Sequence, residues 1–115
     1  MKRGEVYWAS LAPRSGSEQT GTRPVIIVSH DGFNLTPGWQ SIIVVPVSTS
    51  KSQAGRGPTS IWLAKGSGGL KADSVAVCHQ VTTIDRGKFT KLIGTLTPEL
   101  LTQVEDGLRA ALELG

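Results

Sequence analysis

A short polar segment near the N-terminus contains the residues best suited to chemistry on a phosphate. Residues 16–24 place a carboxylate, an amide, hydroxyls and a guanidinium close together, and they lead into the apolar run 25–28. Such a composition is typical of a loop anchored on a rigid strand. Because Pro24 favours an extended backbone at Arg23, the guanidinium is held where the strand begins. Glu18 and Arg23 are therefore the first candidates for catalysis.

Each of these two residues also has an ordinary structural interpretation. Glu18 fits an exposed loop carboxylate, and Arg23 fits a surface ion pair that contributes little to stability. The catalytic interpretation gains weight because a carboxylate and a guanidinium on one loop form a phosphate site with its own counter-charge. The sequence has no acid or histidine cluster with metal-ligand spacing, and Cys78 is its only thiol, so we expect neither a metal nor a cofactor.

Cleavage of a phosphodiester that has a neighbouring hydroxyl, as in RNA, is one reaction that these groups could catalyse without a metal. It requires loss of the 2′-hydroxyl proton, neutralisation of a pentavalent phosphorane, and a proton for the leaving 5′-oxygen. Arg23 can supply charge and paired donors to the non-bridging oxygens. Glu18 can act as general base or acid, or it can orient the guanidinium, and the sequence leaves these roles open. A guanidinium is almost always protonated, so a base role for Arg23 would require a large pKa shift.

The remaining chain predicts short strands that position this loop. Alternation over 5–11 predicts a first strand with Val6, Trp8 and Leu11 on its buried side. Pro46 lies inside a later strand, which predicts an edge position or a bulge because proline cannot donate to the ladder. Further strands are predicted at 25–28, 41–47, 60–63, 74–81 and 92–96, with a helical turn over 86–89.

The C-terminal segment carries three signals for the start of a helix. Thr97 suits an N-cap, Pro98 suits the first helical position, and Glu99 supplies an early acid. Gly107 interrupts this helix at a cost of about 1 kcal/mol relative to alanine, and it indicates a close packing contact. Apolar residues recur at helical spacing: Leu100, Leu101, Val104, Leu108, Ala111 and Leu112.

Length and composition indicate one domain spanning residues 1–115. A chain of 115 residues with 38% hydrophobic and 18% charged residues can bury a single core. No apolar run approaches the roughly 20 residues needed to cross a bilayer, and no signal-like segment follows Lys2 and Arg3, so we expect a cytoplasmic protein without membrane association. Many short strands followed by one amphipathic helix predict an α+β fold, a small and strongly bent antiparallel β-barrel with a C-terminal α-helix.

The charge is distributed unevenly along the chain. Residues 1–71 contain eight Lys/Arg against three Asp/Glu, which gives +5, and residues 72–115 contain four against six, which gives −2. A polyanionic partner is consistent with the basic half, although a merely soluble surface fits the charge equally well. The flexible stretch 51–58 offers Lys51, Gln53 and Arg56 as contacts to RNA phosphates.

Several motifs resemble, in their order, those of one toxin family. Arg3-Gly4-Glu5-Val6-Tyr7-Trp8, Gly16-Ser17-Glu18-Gln19 and Arg23-Pro24 are followed by Val45-Pro46-Val47-Ser48-Thr49 and by the block 73–85, before the closing helix. Together they cover essentially the whole chain, and they resemble the MazF/PemK family of toxin endoribonucleases. Their joint occurrence is more specific than a lone Gly-Ser-Glu-Gln.

This resemblance implies an SH3-like barrel of the CcdB/PemK type, a homodimer whose motif loops border a shared groove, and an acidic antitoxin that binds the groove. It implies a sequence-specific, metal-independent endoribonuclease that cleaves single-stranded RNA to 2′,3′-cyclic phosphate and 5′-hydroxyl ends. It also implies that Thr49 is a second donor to the phosphate, whereas the structural alternative is a hydroxyl bonded to nearby backbone. Contacts to RNA are predicted for Ser17, Gln19, Thr22, Lys51, Gln53, Arg56 and Gln80.

Other residues and other functions compete with these assignments. His30 and His79 suggest a two-histidine ribonuclease, but structural roles are favoured for both. Trp39, Trp62 and Tyr7 can stack on bases, although a tryptophan in a small barrel more often belongs to the core. The alternatives to a nuclease are a CcdB-like topoisomerase poison that binds protein and cleaves nothing, and a non-catalytic RNA-binding barrel.

Overall fold

A computed structural model of the protein describes residues 1–11, 21–49 and 57–115, which form seven strands and two α-helices. The helices are α1 (Asp31–Asn34) and α2 (Pro98–Leu112). Short 3₁₀ turns occupy Gly57–Thr59, Ser67–Gly69, Cys78–Gln80 and Arg86–Lys88. The strands are β1 (Glu5–Ser10), β2 (Thr22–Ile27), β3 (Ser41–Ser48), β4 (Ser60–Leu63), β5 (Ser74–Val77), β6 (Thr82–Asp85) and β7 (Phe89–Thr95).

The strands form one antiparallel sheet in the order β4-β5-β3-β2-β1-β7, with β6 beside β3. Strand β3 is central because it pairs with β2 on one side and with both β5 and β6 on the other. Within the described ranges the sheet stays open between β4 and β7. An antiparallel sheet followed by one long C-terminal helix confirms the predicted α+β class.

Pro46 lies in the central strand, where it pairs with Val25 of β2. On the other side of β3, the pairing with β5 begins at Val47 and the pairing with β6 ends at Val44. Pro46 therefore falls between two ladders, where a residue without an N–H breaks no regular pairing. Of the two predicted alternatives, an edge position or a bulge, the edge position is wrong, because the sequence alone does not show that two strands share one side of β3.

Two apolar clusters lie on opposite faces of the sheet. Ile26 belongs to the first cluster, whereas its neighbours Val25 and Ile27 belong to the second, as the alternation of a strand requires. The first cluster includes Val104 of α2, so the helix covers that face. The second cluster collects buried residues of β1, β2, β3 and β6, with Tyr7 packed against it.

Strand β1 departs from the predicted burial pattern. Val6 is buried in the first cluster and Leu11 in the second, because their positions differ by an odd number and alternation therefore carries Leu11 to the opposite face. Trp8 shares the face of Val6 but is 36% exposed. Of the three residues predicted to share a buried side, only Val6 and Leu11 are buried, and they lie on different faces.

The other two tryptophans also lie outside the core. Trp39 is 41% exposed and Trp62 is 55% exposed, so the predicted core positions are wrong. Trp39 stacks on Phe33 with ring centroids 4.8 Å apart, and its indole nitrogen donates to the Ser41 carbonyl at 2.7 Å. Both tryptophans lie near strand ends or edges, where one side of the ring has no neighbouring strand.

Helix α2 begins as predicted. The Thr97 hydroxyl accepts a hydrogen bond from the Leu100 amide at 3.2 Å, and Pro98 is the first helical residue. The helix ends at Leu112, and the residue that caps it, Glu113, has a left-handed φ of 56°. Neither α-helix of the described residues combines the length and apolar character that crossing a membrane requires.

At Gly107, α2 closely approaches β4 and the turn that follows β5. A Cβ atom at Gly107 would lie 2.7 Å from the Cys78 sulfur and 2.9 Å from Cγ1 of Ile61. Both distances are shorter than real Cβ contacts, so only glycine fits without a shift of the neighbours. The predicted close packing contact is confirmed.

Candidate active site

A cavity of about 230 Å³ lies where the start of β2 meets the end of β3. The two strands are antiparallel, with Val25 opposite Pro46, so residues before Val25 lie at the same end of the sheet as residues after Pro46. Arg23 and Thr49 fulfil this condition, and both line the cavity. The strand ladder thus brings together two residues that were predicted from separate parts of the sequence.

The polar side of the cavity is formed by strand ends. Thr22 and Arg23 are the first two residues of β2, and Thr49 directly follows β3. Arg23 is half-buried, whereas Thr22 and Thr49 are exposed. A partly buried guanidinium beside an exposed hydroxyl at one opening can donate hydrogen bonds to the oxygens of a single phosphate.

The apolar side of the cavity is formed by neighbouring strands and by the segment after β4. Trp8 lies opposite Pro24 in the β1–β2 pair, and both residues line the cavity. Val47, Leu70 and Ile93 complete this side. The cavity therefore has an apolar wall adjacent to the polar strand ends, which suits a ligand with a flat apolar part and an anionic part.

A close backbone contact holds the segment after β4 against β7. Gly69 has a φ of 80°, and a Cβ there would lie 2.5 Å from the Ile93 carbonyl oxygen. A Cβ at Gly94 would likewise lie 2.5 Å from the carbonyl oxygen of Gly68. Because only glycine allows this approach, the glycines fix the distance between the two backbones that carry Ile93 and Leu70.

The electrostatics of the cavity favour an anion. Arg23 and Lys71 are the charged residues among the described residues that line it, and both are cationic. The nearby Asp73 is directed elsewhere, since its carboxylate accepts a hydrogen bond from the Lys65 amide at 2.8 Å. The Ser74 hydroxyl donates to the Ala72 carbonyl at 2.8 Å, which ties the wall of the cavity to the start of β5.

The other predicted site residues divide into two groups. Gln80 lies in the 3₁₀ turn between β5 and β6 and is not among the described residues that line the cavity. The predicted catalytic residue Glu18 and the predicted RNA contacts Ser17, Gln19, Lys51, Gln53 and Arg56 lie outside the described residues.

Both histidines have structural contacts. The His30 ring nitrogen Nδ1 accepts a hydrogen bond from the Gly32 amide at 2.7 Å and thereby caps α1. His79 Nδ1 lies 3.1 Å from the Thr59 hydroxyl. Neither histidine lines the cavity that contains Arg23, in agreement with the structural roles favoured by the sequence.

Metal and thiol chemistry find no support in the described part of the chain. No group of three or more His, Cys, Asp or Glu side chains comes together there in an arrangement that could hold a metal ion. The Cys78 thiol is buried beneath α2, with its sulfur 3.6 Å from the Val104 carbonyl oxygen. Burial raises the pKa of Cys78 to about 12, so this thiol is not an available nucleophile.

Sequence reasoning missed two residues of the cavity, Trp8 and Lys71. Alternation placed Trp8 on a buried face, and alternation cannot tell a packed face from one that borders an opening. Lys71 comes two positions after the glycine-rich turn at 66–69, and a basic residue so close to such a turn was the available signal. Only the pairing of β1 with β2 and the contact between Gly69 and β7 bring both residues to Arg23.

Comparisons with known proteins agree with the resemblance seen in the sequence. The family described as PemK-like, MazF-like toxin of type II toxin-antitoxin system matches residues 2–112. Endoribonuclease EndoA of Bacillus subtilis is 35% identical over 115 residues, covering 99% of this chain and 96% of that protein. These matches confirm the family that the motifs indicate.

Solved structures show the same fold. Crystalline MazF from Deinococcus radiodurans superimposes with a TM-score of 0.80 at 22% identity, over 98% of this chain and 96% of that one. An endoribonuclease in complex with its cognate antitoxin from a mycobacterial species gives a TM-score of 0.76 at 23% identity, over 100% of this chain and 97% of that one. The sheet with its C-terminal helix is therefore an arrangement already found in solved toxins.

Proposed function

Because the chain belongs to the PemK-like, MazF-like toxins of type II toxin-antitoxin systems, we propose that it is the endoribonuclease of such a system. Its substrate is single-stranded RNA, which it cleaves at a specific sequence without a metal ion. One observation carries this proposal: Arg23 and Thr49 line one cavity, and the charged residues in the described part of its lining are both cationic. Such a group of donors could bind the oxygens of a scissile phosphodiester, which is an anion.

The proposed reaction is an intramolecular transesterification. The 2′-hydroxyl loses its proton, and its oxygen attacks the adjacent phosphorus to give a pentavalent phosphorane. The bond between phosphorus and the 5′-oxygen then breaks, and the leaving oxygen takes up a proton. The products are a 2′,3′-cyclic phosphate and a 5′-hydroxyl, and no water or metal is consumed in this step.

Arg23 and Thr49 have electrostatic roles in this scheme. The guanidinium of Arg23 donates to the non-bridging oxygens and neutralises the charge that grows on the phosphorane. The Thr49 hydroxyl donates to the same phosphate from the end of β3. Both residues belong to the ends of paired strands, and the ladder between β2 and β3 limits how far their backbones can move.

Glu18 is the proposed proton-transfer group. Its side chain, in the segment before β2, can accept the 2′-hydroxyl proton as a carboxylate, or deliver a proton to the leaving oxygen as a carboxylic acid. Its alternative role is to orient the Arg23 guanidinium. A Glu18→Gln variant that keeps its affinity for RNA but loses the dependence of kcat on pH in the acidic range would support the first role over the second.

The other predicted RNA contacts are assigned by their position relative to the cavity. Thr22 borders the cavity, and we propose that Ser17 and Gln19 contact the same part of the RNA. Gln80 is proposed to contact a more distant nucleotide, because its turn does not border the cavity. Lys51, Gln53 and Arg56 are proposed to bind phosphates that flank the cleaved bond.

We also propose a homodimer and an acidic antitoxin as the protein partners. The antitoxin proposal rests on the charge of +5 over residues 1–71, on the family, and on a mycobacterial relative of the same fold that was solved with its antitoxin. An acidic segment that folds on binding would compete with RNA for the basic surface. We place the toxin in the cytoplasm, where its RNA substrate is found.

The other functions considered have weaker support. A topoisomerase poison of the CcdB type acts through a protein-binding surface, and such a surface has no chemical need for a cavity with Arg23 and Thr49 on its wall. A non-catalytic RNA-binding barrel would need the cations but not the hydroxyl beside them. The curated relative at 35% identity carries the name endoribonuclease.

One experiment separates these functions. The purified protein is incubated with a long RNA in excess EDTA, and the fragments are sequenced and their ends analysed by mass spectrometry. We expect discrete fragments with 2′,3′-cyclic phosphate and 5′-hydroxyl ends. Intact RNA together with slowed turnover of DNA gyrase would contradict the nuclease and support the poison.

A further inference from the structure

The apolar wall of the cavity is not explained by binding of a phosphate alone. Trp8 is 36% exposed although it lies in β1, which has a paired strand on each side. Its indole borders the same cavity as Arg23 and Thr49. An exposed tryptophan on the wall of a site that handles RNA offers a flat surface on which a base can stack.

The strand register gives this surface a defined shape. Trp8 pairs with Pro24 across β1 and β2, and directly opposed side chains in such a pair have Cβ atoms about 4.5–5.5 Å apart. The two rings therefore form one apolar wall, which Leu70 continues from the glycine-rich turn. A volume of about 230 Å³ is smaller than the roughly 300–1,000 Å³ of typical drug-sized sites, which favours a single ring system.

The positive charge at the opening favours a nucleotide, which carries an anionic phosphate, over a neutral ring. Lys71 is exposed and lines the cavity directly beside Leu70, and Arg23 lies on the wall with Thr49. An apolar wall with cations next to it matches a base that is joined to the anionic sugar-phosphate backbone.

We propose that this cavity binds one nucleobase adjoining the scissile phosphate, with the Trp8 indole as its stacking surface and Lys71 as a contact to the neighbouring phosphate. The inference rests on the proposed function and adds a base-binding site to it. Trp8 supplies affinity and places the adjoining bond beside Arg23. Stacking tolerates every base, so Trp8 positions the substrate without choosing its sequence.

The first test measures coupling between Trp8 and one base of the substrate. A short RNA containing the cleaved sequence carries a 2′-O-methyl group at the cleaved bond, so that it binds without reacting. A set of such RNAs places an abasic site at each nucleotide flanking that bond. We expect Trp8→Leu to weaken binding about tenfold, and one abasic position to weaken the wild type similarly while leaving Trp8→Leu unaffected.

A matched control uses another exposed tryptophan. Trp62 is 55% exposed and lies outside the described lining of the cavity, so Trp62→Leu should bind every RNA as the wild type does. Trp8→Phe should retain most of the affinity because it keeps an aromatic ring. If Trp8→Leu binds like the wild type, or if all abasic sites weaken both proteins equally, the stacking role is overturned.

A second measurement does not depend on the folding of Trp8→Leu. In a variant with Trp39→Phe and Trp62→Phe, Trp8 is the only tryptophan, and saturating RNA should quench its fluorescence. Unchanged emission at saturation would overturn the proposal. Lys71→Gln should lower the salt slope of binding by about 0.7, the value for one phosphate on a single strand, and an unchanged slope would remove Lys71 from the site.

The outcomes distinguish this proposal from the proposed function. If the wild type leaves RNA intact in EDTA, the nuclease fails, and the fluorescence of Trp8 still decides whether a base stacks there. If the wild type cleaves RNA but no abasic position couples to Trp8, the nuclease stands and the base site fails.

Discussion

Trp8 lies opposite Pro24 in the β1–β2 pair, and the two residues form the apolar wall beside Arg23. Arg23 precedes Pro24 in β2, so the residue proposed to contact phosphate and the residue that lies opposite Trp8 are neighbours in sequence. Proline fixes the local backbone, which limits the positions open to the arginine before it. The Arg-Pro pair thus connects the proposed chemistry with the proposed base site.

Replacement of Arg23 tests the electrostatic role. Arg23→Ala should lower kcat for RNA cleavage at least about 100-fold, because it removes the charge that stabilises the phosphorane. Arg109→Ala is the control, since Arg109 is exposed on α2 and pairs with Asp106 at 2.9 Å. Single-turnover kinetics measure the rate of cleavage, and thermal melting shows whether each variant is folded. A loss of tenfold or less in a folded Arg23→Ala protein would contradict the proposed role.

Replacement of Thr49 tests the second donor. Thr49→Val keeps the shape of the side chain and removes its hydroxyl, so kcat should fall about 10- to 100-fold, as expected for one hydrogen bond to a charged group. Thr49→Ser should retain most of the activity. Thr83→Val, at an exposed position of β6, is the matched control and should cleave normally. Full activity in Thr49→Val would assign the hydroxyl to local backbone contacts instead.

The basic segment after β3 can be tested through salt. Lys51→Gln and Arg56→Gln should each lower the slope of log K against log salt concentration by about 0.7, because each removes one phosphate contact to a single strand. Fluorescence anisotropy with a labelled, uncleavable RNA measures the slope. Lys65→Gln, an exposed lysine outside the described lining of the cavity, should leave it unchanged. Unaltered slopes in the first two variants would rule out these contacts.

Gly107 should be the most sensitive position of α2. Gly107→Ala is expected to destabilise the protein by about 1–3 kcal/mol, although alanine is the better helix former, because the added Cβ would lie 2.7 Å from the Cys78 sulfur. Urea unfolding measures the change. Adding Cys78→Ala should recover part of the loss by removing that sulfur. If Gly107→Ala alone is as stable as the wild type, α2 can shift without a cost in the free energy of unfolding.

The carboxyl group of Asp31 should make the free energy of unfolding depend on pH in the acidic range. The carboxylate accepts hydrogen bonds from the Asn34 side chain at 3.0 Å and from the Arg3 amide at 2.7 Å, and these bonds lower the pKa of Asp31 below its ordinary value. A carboxyl whose folded pKa lies below its unfolded value stabilises the fold above the unfolded pKa. This contribution is lost as the pH falls through the folded pKa.

Asp31→Asn should therefore flatten the acid side of the stability profile. The free energy of unfolding, measured with urea at about pH 7 and about pH 3, should differ less in the variant than in the wild type. An identical difference in both proteins would show that the hydrogen bonds from Asn34 and Arg3 do not favour the ionised carboxyl.

Local patterns in the sequence were sufficient where the physical cause is local. The start of α2 was predictable because Thr97 and Pro98 act within one turn of the helix. The extended backbone of Arg23 followed from the proline after it, although β2 begins at Thr22 and not at Val25 as predicted. Gly107 marked a close contact because a glycine in a helix costs stability unless something needs the space.

Long-range pairing decided what the patterns could not. Pro46 fits a central strand only because β6 pairs with the first part of β3 and β5 pairs with its last part. Pro46 lies between these two ladders. Trp8 borders a cavity and not the core because the segment carrying Leu70 approaches it through the contact of Gly69 with β7. No sequence pattern within either segment predicts the distance between the two segments.

The sequence by itself determined the family, the α+β class and the identity of Arg23 and Thr49 as candidates, because these depend on residue type and order. Only the tertiary structure decided that both residues line one cavity with Trp8 and Lys71. The reason is that a cavity is the space left between segments distant in sequence, and its shape depends on how strands register and on how closely glycine backbones approach.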